Sequence, residues 1–187
     1  MTRRMLRIAA LSPLLALAGC QANPHPPMPT VSHVDLPRFM GDWFVIANIP
    51  TRMERGAHNA VENYRLDEDG SIATTFTYRD KAFDGALKSF TPRGFVLDRQ
   101  TNALWGMRFI WPIKADYRII HVDAAYSETI IGRQKRDYVW IMARTPQIDA
   151  ADYQRLLQIV ASHGYDTSKV QRVPQRWPED APRATRE

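Results

Sequence analysis

The chain has 187 residues, of which 44% are hydrophobic and 24% are charged, values that suit one ordinary globular domain and exclude wholesale disorder. The formal net charge is +5, but Arg3, Arg4 and Arg7 supply three positive charges at the N-terminus. The excess on the rest of the chain is too weak and scattered to recognise a nucleic-acid backbone, so we expect no nucleic-acid partner. The single cysteine, Cys20, excludes an internal disulfide and a cysteine-cluster metal site.

Residues 1–19 have the organisation of an export signal. A mostly apolar run from Ile8 to Ala18 follows the arginines, and it is too short to cross a bilayer, which takes about 20 helical residues. The run ends in Leu17-Ala18-Gly19-Cys20, which resembles the lipobox of bacterial lipoproteins. That resemblance implies acylation of Cys20, for example by palmitate, and Gln21 after it implies delivery to the Gram-negative outer membrane. The alternative is an ordinary cleavage site that precedes a cysteine by chance.

A proline-rich segment separates this signal from the globular part of the chain. The twelve residues Gln21 to Ser32 contain Pro24, Pro26, Pro27 and Pro29, a composition that favours extended polyproline geometry of ~3.1 Å per residue and a reach of roughly 35–40 Å. We therefore predict a lipidated tether over residues 20–33, a folded domain over residues 34–177, and a disordered tail over residues 178–187.

The first two thirds of the domain have the pattern of β-strands. Short segments rich in β-branched and aromatic residues alternate with turn signals. The predicted strands are Trp43–Ile49, Ala60–Leu66, Ser71–Tyr78, Leu87–Leu97, Ala103–Ile110, Tyr117–Asp123, Ser127–Arg133 and Tyr138–Thr145. An antiparallel meander of this kind removes its exposed edges when it closes into a barrel.

The last part of the domain changes to helical periodicity. Its apolar residues recur at spacings of three and four: Tyr153, Leu156, Leu157 and Val160. Asp149 is placed to cap the N-terminus of this helix, and Gly164 is placed to end it. Because only one face of the helix is apolar, we predict that it packs on the outside of the barrel.

Three motifs of the sequence resemble those of the lipocalin family. They are Gly41-Asp42-Trp43, Asp123-Ala124-Ala125-Tyr126 and Arg144-Thr145-Pro146. Three further stretches resemble, more narrowly, the bacterial outer-membrane lipocalins related to apolipoprotein D: Met53–Gly56, Tyr138–Ile141 and Gly164–Asp166. The resemblance covers Asp35 to Arg172, with one departure, Val122, where the family often has threonine. It implies an all-β fold, an eight-stranded antiparallel up-and-down calycin barrel with one C-terminal α-helix packed outside.

The resemblance assigns structural roles to the motif residues Gly41, Trp43, Asp123, Tyr126 and Arg144. Trp43 is expected to close one end of the barrel, with the Arg144 guanidinium over its indole. A cation over a tryptophan face stabilises by about 0.5–2 kcal/mol. These residues are therefore expected to hold the barrel floor and not to contact a ligand.

A barrel of eight strands can hold one small ligand, and strand alternation counted from an inward Arg144 identifies its expected lining. That lining is Val45, Ala47, Trp105, Met107, Phe109, Tyr117, Ile119, His121, Tyr138, Trp140 and Met142. It suits an acyl chain, since burying about fourteen methylenes yields roughly 11 kcal/mol before the costs of ordering. The sequence therefore predicts binding of a fatty acid, lysophospholipid or similar amphiphile, with plain core packing as the alternative for each aromatic residue.

Polar groups are expected at the mouth of the barrel. Arg52 and Arg55 lie in one long connection, and Trp111 and Lys114 lie in another. The cations are candidates for a carboxylate or phosphate head group, with plain solvated loop charges as the alternative. Trp111 has two open roles, sealing the mouth or contacting a membrane.

Catalytic and cofactor motifs are missing from the sequence. It has no nucleophile-elbow, zincin or phosphate-loop pattern, and Cys20 lies outside the predicted barrel. We therefore expect a binding protein rather than an enzyme, with no metal and no cofactor. Three alternatives stay open: a haem-binding or enzymatic lipocalin that uses an interior His121, a structural lipoprotein with a filled barrel, and pairing of two copies as a homodimer.

Overall fold

The computed structural model describes residues 25–177. The predicted signal 1–19, the lipidation site Cys20 and the tail 178–187 lie outside the described residues. The strands are β1 (Gly41–Ile49), β2 (Ala57–Leu66), β3 (Ser71–Asp80), β4 (Leu87–Phe90), β5 (Arg93–Val96), β6 (Leu104–Ile110), β7 (Ile113–Val122), β8 (Glu128–Gly132), β9 (Val139–Ala143) and β10 (Gln171–Arg172). The helices are α1 (Leu36–Phe39), α2 (Ala150–Ser162) and a 3-10 turn over Thr167–Lys169.

The strands form one closed antiparallel barrel. The order runs β1-β2-β3-β5-β6-β7-β8-β9, and β9 pairs back onto β1 to close the ring. Strands β4 and β5 both pair with β3 and together make one barrel strand, while β10 adds to β1. The predicted eight-stranded up-and-down barrel is thereby confirmed.

One predicted strand, Leu87–Leu97, is split in two at Pro92. Proline has no backbone N–H to donate and so interrupts a ladder, although its carbonyl still accepts from the Thr74 amide at 3.2 Å. The pairing with β6 runs from Arg93 to Val96 and is therefore confined to β5. Because β4 pairs with β3 alone among the described strands, the barrel wall opens between β4 and the end of β6.

Helix α2 packs on the outer face of the barrel, as predicted. Asp149 caps it by accepting from the Asp152 amide at 2.8 Å, and its buried residues are Tyr153, Leu156 and Val160. These three side chains belong to an apolar cluster with the outward residues of β1, β8 and β9, which we call the helix-side cluster. No helix among residues 25–177 is both long enough and apolar enough to span a membrane.

The closed end of the barrel is built from the sequence motifs. The carbon at the centre of the Arg144 guanidinium lies 3.7 Å from the centroid of the Trp43 ring, the arrangement that the motif resemblance implies. The same guanidinium donates to the carbonyls of Asp42 and Arg38, both at 2.8 Å. Gly41 has a φ of 93°, a left-handed conformation that favours glycine. Because its Nε also donates to the Tyr126 carbonyl at 3.2 Å, Arg144 ties three separate backbone segments over the indole.

The Asp123 turn joins β7 to β8 beside this floor. The Asp123 carboxylate accepts from the amides of Ser127 at 2.6 Å and Glu128 at 2.7 Å. Partial burial opposes ionisation, but these hydrogen bonds outweigh it and lower the pKa of Asp123. Tyr126 adopts a φ of 58°, and its hydroxyl accepts from the Asp35 amide at 2.8 Å. The turn thus anchors the segment that leads into α1.

The described end of the predicted tether does not stand free of the barrel. Met28 is buried, its amide donates to the Gln134 side chain at 2.9 Å, and the Val31 amide donates to the Ile119 carbonyl at 3.0 Å. The prediction of a spacer that stands free of the domain is therefore wrong for residues 28–33. Met28 and Val31 bury their apolar side chains against the barrel, and the proline-rich composition does not reveal this.

Candidate ligand-binding cavity

The open half of the barrel encloses a cavity of about 100 Å³. Five residues of the predicted lining border it: Met107, Phe109, Tyr117, Trp140 and Met142. The other residues on its wall are Thr51, Met53, Glu54, Glu62, Phe76, Phe90, Ala115, Asp116 and Arg133. The cavity is therefore mainly aromatic and aliphatic, with a small number of polar groups.

Three further predicted residues, Val45, Trp105 and Ile119, face the barrel interior but lie beneath the cavity. Trp105 stacks on Tyr117 with ring centroids 5.7 Å apart and meets Phe39 edge-on at 5.6 Å. These contacts are core packing, which was the alternative stated for each aromatic residue. The lower half of the barrel is thus filled by its own side chains.

The predictions that Ala47 and His121 face the interior are wrong. Strand β1 is irregular between Val45 and Ala47, and β7 is irregular between Ile119 and His121. An extra residue at a bulge shifts the alternation, so the residue after it changes face. Ala47 belongs to the helix-side cluster, and His121 pairs with a strand residue of the same cluster.

His121 is accordingly no interior imidazole. Burial, with the Arg155 charge on α2 as a second cause, lowers its pKa. Its Nε2 atom is buried and has no hydrogen-bond partner among the described residues. The alternative of a haem-binding or enzymatic barrel built on an interior His121 therefore loses its site.

Tyr138 is the third residue misplaced by alternation. It precedes β9, which begins at Val139, so the strand periodicity does not extend to it. Its ring packs against the helix-side cluster, with the guanidinium carbon of Arg133 at 5.3 Å from the ring centroid.

None of the predicted mouth residues borders the cavity. Arg52 and Arg55 are exposed in the connection between β1 and β2. The Lys114 ammonium lies 4.2 Å from the centroid of the Phe95 ring, on the outer face of the sheet. Lys114 therefore faces away from the cavity, because it precedes the inward Ala115 in β7. Trp111 is 78% exposed at the tip of the hairpin between β6 and β7.

The same β1–β2 connection sends a carboxylate, Glu54, into the cavity. Glu54 is 8% exposed. One of its oxygens accepts from the Thr51 amide at 2.8 Å, and the other accepts from the Trp140 indole N–H at 2.7 Å. The sequence did not single out Glu54 as a site residue, because nothing in a loop sequence shows which side chain turns inward.

A second carboxyl, Glu62, lies deeper on the cavity wall. In the sheet it stands between Trp43 of β1 and Phe76 of β3, both of which face inward. Burial, with the Glu54 charge as a second cause, raises the pKa of the Glu62 carboxyl to about 8. The side chain is partly exposed and borders the cavity. Glu62 stands two residues before Tyr64, whose side chain faces inward. Strand alternation from Tyr64 therefore predicts that Glu62 faces inward as well.

Two phenols lie beside Glu62 on the cavity floor. The hydroxyls of Tyr64 and Tyr117 are hydrogen-bonded to each other, and burial raises the pKa of both well above its ordinary value. Both phenols therefore stay neutral and satisfy each other. Among residues 25–177, no group of three or more histidine, cysteine, aspartate or glutamate side chains is arranged to hold a metal ion.

Comparison with known proteins identifies a matching family, similar sequences and a similar solved structure. The sequence matches the family described as lipocalin-like domain over residues 34–175. It is 28% identical to the outer membrane lipoprotein Blc of Escherichia coli K12 over 171 residues, 89% of this chain and 94% of that protein. It is 26% identical to apolipoprotein D of Bos taurus over 178 residues, 89% of this chain and 92% of that protein. Insecticyanin from the tobacco hornworm Manduca sexta shares the fold, with a TM-score of 0.64 at 16% identity over 83% of this chain and 87% of that chain.

Proposed function

The chain belongs to the lipocalin-like domain family, as its motifs predict, and on this premise we propose that it binds one amphiphilic lipid in the barrel cavity. The candidate ligands are a fatty acid, a lysophospholipid or a similar single-chain amphiphile, stored or carried for maintenance of the cell envelope. Members of this family are generally binding proteins rather than enzymes. The observation that carries the proposal is an apolar, aromatic-walled cavity that reaches the open end of the barrel.

The size of the cavity limits how the ligand sits. At about 100 Å³ it is smaller than the ~300–1,000 Å³ of sites that enclose a drug-sized ligand. One end of the amphiphile therefore occupies the cavity, and the remainder extends through the mouth. The thioethers of Met53, Met107 and Met142 border the cavity, and such flexible side chains re-pack readily around a longer segment.

The hairpin between β6 and β7 supplies apolar surface for that remainder. Phe109, Ile110, Trp111 and Ile113 are 56%, 73%, 78% and 70% exposed. They continue the apolar wall outward from the cavity, beside the opening between β4 and β6. Covering them with the protruding chain removes apolar surface from water, at about 25 cal/mol for each Å².

Titration of the purified protein with a fluorescent fatty acid, in competition with a lysophospholipid, tests the proposal. The Ala115→Phe variant fills the cavity and is expected to weaken binding about tenfold or more. The matched control is Lys114→Phe, which adds the same ring to the outer face of the same strand and is expected to retain binding.

The result that overturns the proposal is the absence of saturable binding by the unaltered protein. Equal affinity of the unaltered protein and a folded Ala115→Phe variant overturns it as well, in favour of a structural lipoprotein with a filled barrel. Thermal unfolding of both variants establishes that they are folded, and Ala115→Leu provides a smaller filling change.

The second part of the proposal is anchoring of the mature chain to the outer membrane by acyl groups on Cys20. It is supported by the lipobox-like Leu17–Cys20 and by similarity to a protein named outer membrane lipoprotein. Two or more acyl chains anchor stably where one binds only marginally. Labelled palmitate is expected to enter the unaltered protein but not Cys20→Ser, which is also expected to leave the membrane fraction. If the unaltered protein is found in the membrane fraction without incorporated palmitate, anchoring through an acylated Cys20 is contradicted.

A further inference from the structure

We infer that the cavity is selective for amphiphiles with a cationic nitrogen, and that Glu54 and Glu62 hold this ammonium group within the aromatic wall. The inference rests on the proposed lipid-binding function and deepens it by naming the class of head group and the end of the ligand that enters. Three observations support it: uncompensated carboxyl groups, aromatic rings around them, and the cavity size.

The first observation is that two carboxyl groups on the cavity wall, the buried Glu54 and the partly buried Glu62, lack a cationic partner in the described part of the chain. No ion pair found within residues 25–177 includes Glu54 or Glu62. Arg133, which borders the cavity, pairs with Asp137 at 3.4 Å. Glu54 accepts hydrogen bonds from two neutral N–H donors, and Glu62 accepts none from a described residue. Buried carboxylates without a counter-charge are costly, so an incoming cation is favoured.

The second observation is the ring system beside these carboxyls. Tyr117 stacks against Trp140 with centroids 6.3 Å apart, and Phe76 stacks against Phe90 at 6.5 Å. All four rings border the cavity. Aromatic faces attract ammonium groups, and cages of them recognise quaternary ammonium ligands. The carboxyls neutralise the charge of such a group while the rings contact its methyl or methylene carbons.

The third observation is size. An engineered cavity of about 150 Å³ holds benzene, so the 100 Å³ found here suits a group of a few heavy atoms, such as a trimethylammonium. A carboxylate end entering the same place meets the Glu54 charge. The geometry therefore favours an inward ammonium with its alkyl chain leaving through the mouth, and disfavours an inward anionic head.

Binding of the cation is coupled to release of a proton from Glu62. The titratable groups facing Glu62 are Glu54, Tyr64 and Tyr117, with Asp116 and Arg133 at the cavity border. Asp116 pairs with Arg118 at 3.0 Å and Arg133 pairs with Asp137 at 3.4 Å, and no ion pair of the described residues joins either one to Glu62. With a pKa of about 8, Glu62 is largely protonated at neutral pH, and an ammonium favours its ionised form. Affinity for a permanent cation therefore rises as pH increases towards and through about 8.

The test is calorimetric titration of the full mature chain with three dodecyl compounds, each below its micelle concentration. They are dodecyltrimethylammonium, dodecanoate and a dodecyl ether with a neutral ethylene-glycol head. The ammonium compound is expected to bind about tenfold or more tightly than dodecanoate, and more tightly at about pH 9 than at about pH 6. Glu62→Gln keeps the shape of the side chain and is expected to abolish the pH dependence and to reduce the preference to the part that Glu54 supplies.

The control variant is Glu68→Gln, which removes a carboxylate from an exposed turn and is expected to change nothing. If all three compounds bind equally and Glu62→Gln has no effect, the ammonium inference is overturned while the lipid-binding proposal stands. If no dodecyl compound binds, the lipid-binding proposal itself fails. Circular dichroism at the highest ligand concentration establishes that the surfactants leave the barrel folded.

Discussion

The partly buried carboxyl of Glu62 makes the stability of the barrel depend on pH, and Glu62→Gln is the substitution that removes this contribution. In the unfolded chain the carboxyl has its ordinary pKa of 4.5, and in the folded barrel burial raises it to about 8. Between these values the folded state holds a proton that the unfolded state has lost. Because the unfolded state then binds fewer protons, the free energy of unfolding falls as pH rises.

The magnitude follows from the two pKa values. Each pH unit in this window costs about 1.4 kcal/mol, so the shift from 4.5 to about 8 amounts to about 5 kcal/mol of stability. The full contribution is present below pH 4.5 and is lost once pH exceeds about 8. This is an upper value, since water in the cavity solvates part of the carboxylate. Glutamine has no charge to bury and is expected to unfold with a much flatter pH profile.

Urea denaturation of the wild type and Glu62→Gln at about pH 5, 7 and 9 measures this effect. Subtracting the two profiles cancels other titrating groups, including His121, whose lowered pKa makes stability rise with pH near neutrality. The variant is expected to gain several kcal/mol over the wild type between the lowest and highest pH. A difference that stays constant across this range would refute the burial argument. Glu68→Gln, at an exposed turn, serves as the matched carboxylate control.

Three further predictions concern the barrel floor. Arg144→Met removes the cation over Trp43 and hydrogen bonds to four carbonyls, and it is expected to lower the free energy of unfolding by about 3 kcal/mol; a loss under about 1 kcal/mol in urea denaturation contradicts this role. Gly41→Ala places a side chain at a φ of 93° and is expected to cost about 1–2 kcal/mol, while unchanged stability rules the strain out. Asp123, whose pKa is lowered, contributes stability above its ordinary pKa of 3.8, and this contribution is lost as pH falls. Asp123→Asn should therefore lower the melting temperature by a few degrees at about pH 7 and hardly at about pH 2, and an equal effect at both values would count against it.

The architecture was predictable because its signals are local. Period-two alternation between turn sequences marks strands, and a single change to helical spacing marks α2, with Asp149 at its N-cap. The floor was predictable for a different reason, since Gly41, Trp43 and Arg144 stand in recognisable motifs. Even so, the split of one barrel strand at Pro92 went unpredicted, although proline is the residue that interrupts a ladder.

The cavity lining was predictable only where strands are regular. Met107 and Tyr117, and likewise Trp140 and Met142, face the cavity because alternation holds from one to the next. It fails at Ala47 and His121, where the strands bulge. A bulge is a property of the pairing between two strands, and the sequence of one strand does not reveal it.

By itself, the sequence determined that this chain makes a closed barrel with a sealed floor and an external helix, because alternation, capping and the floor motifs act over short distances. Only the tertiary structure decided which wall positions face inward and that Glu54, from a loop, and Glu62, from a strand, border one cavity. The physical reason is that closure and bulges set the inward face of each strand. The pKa of a carboxyl group depends on the solvent and the neighbouring groups that remain around it once the barrel has closed.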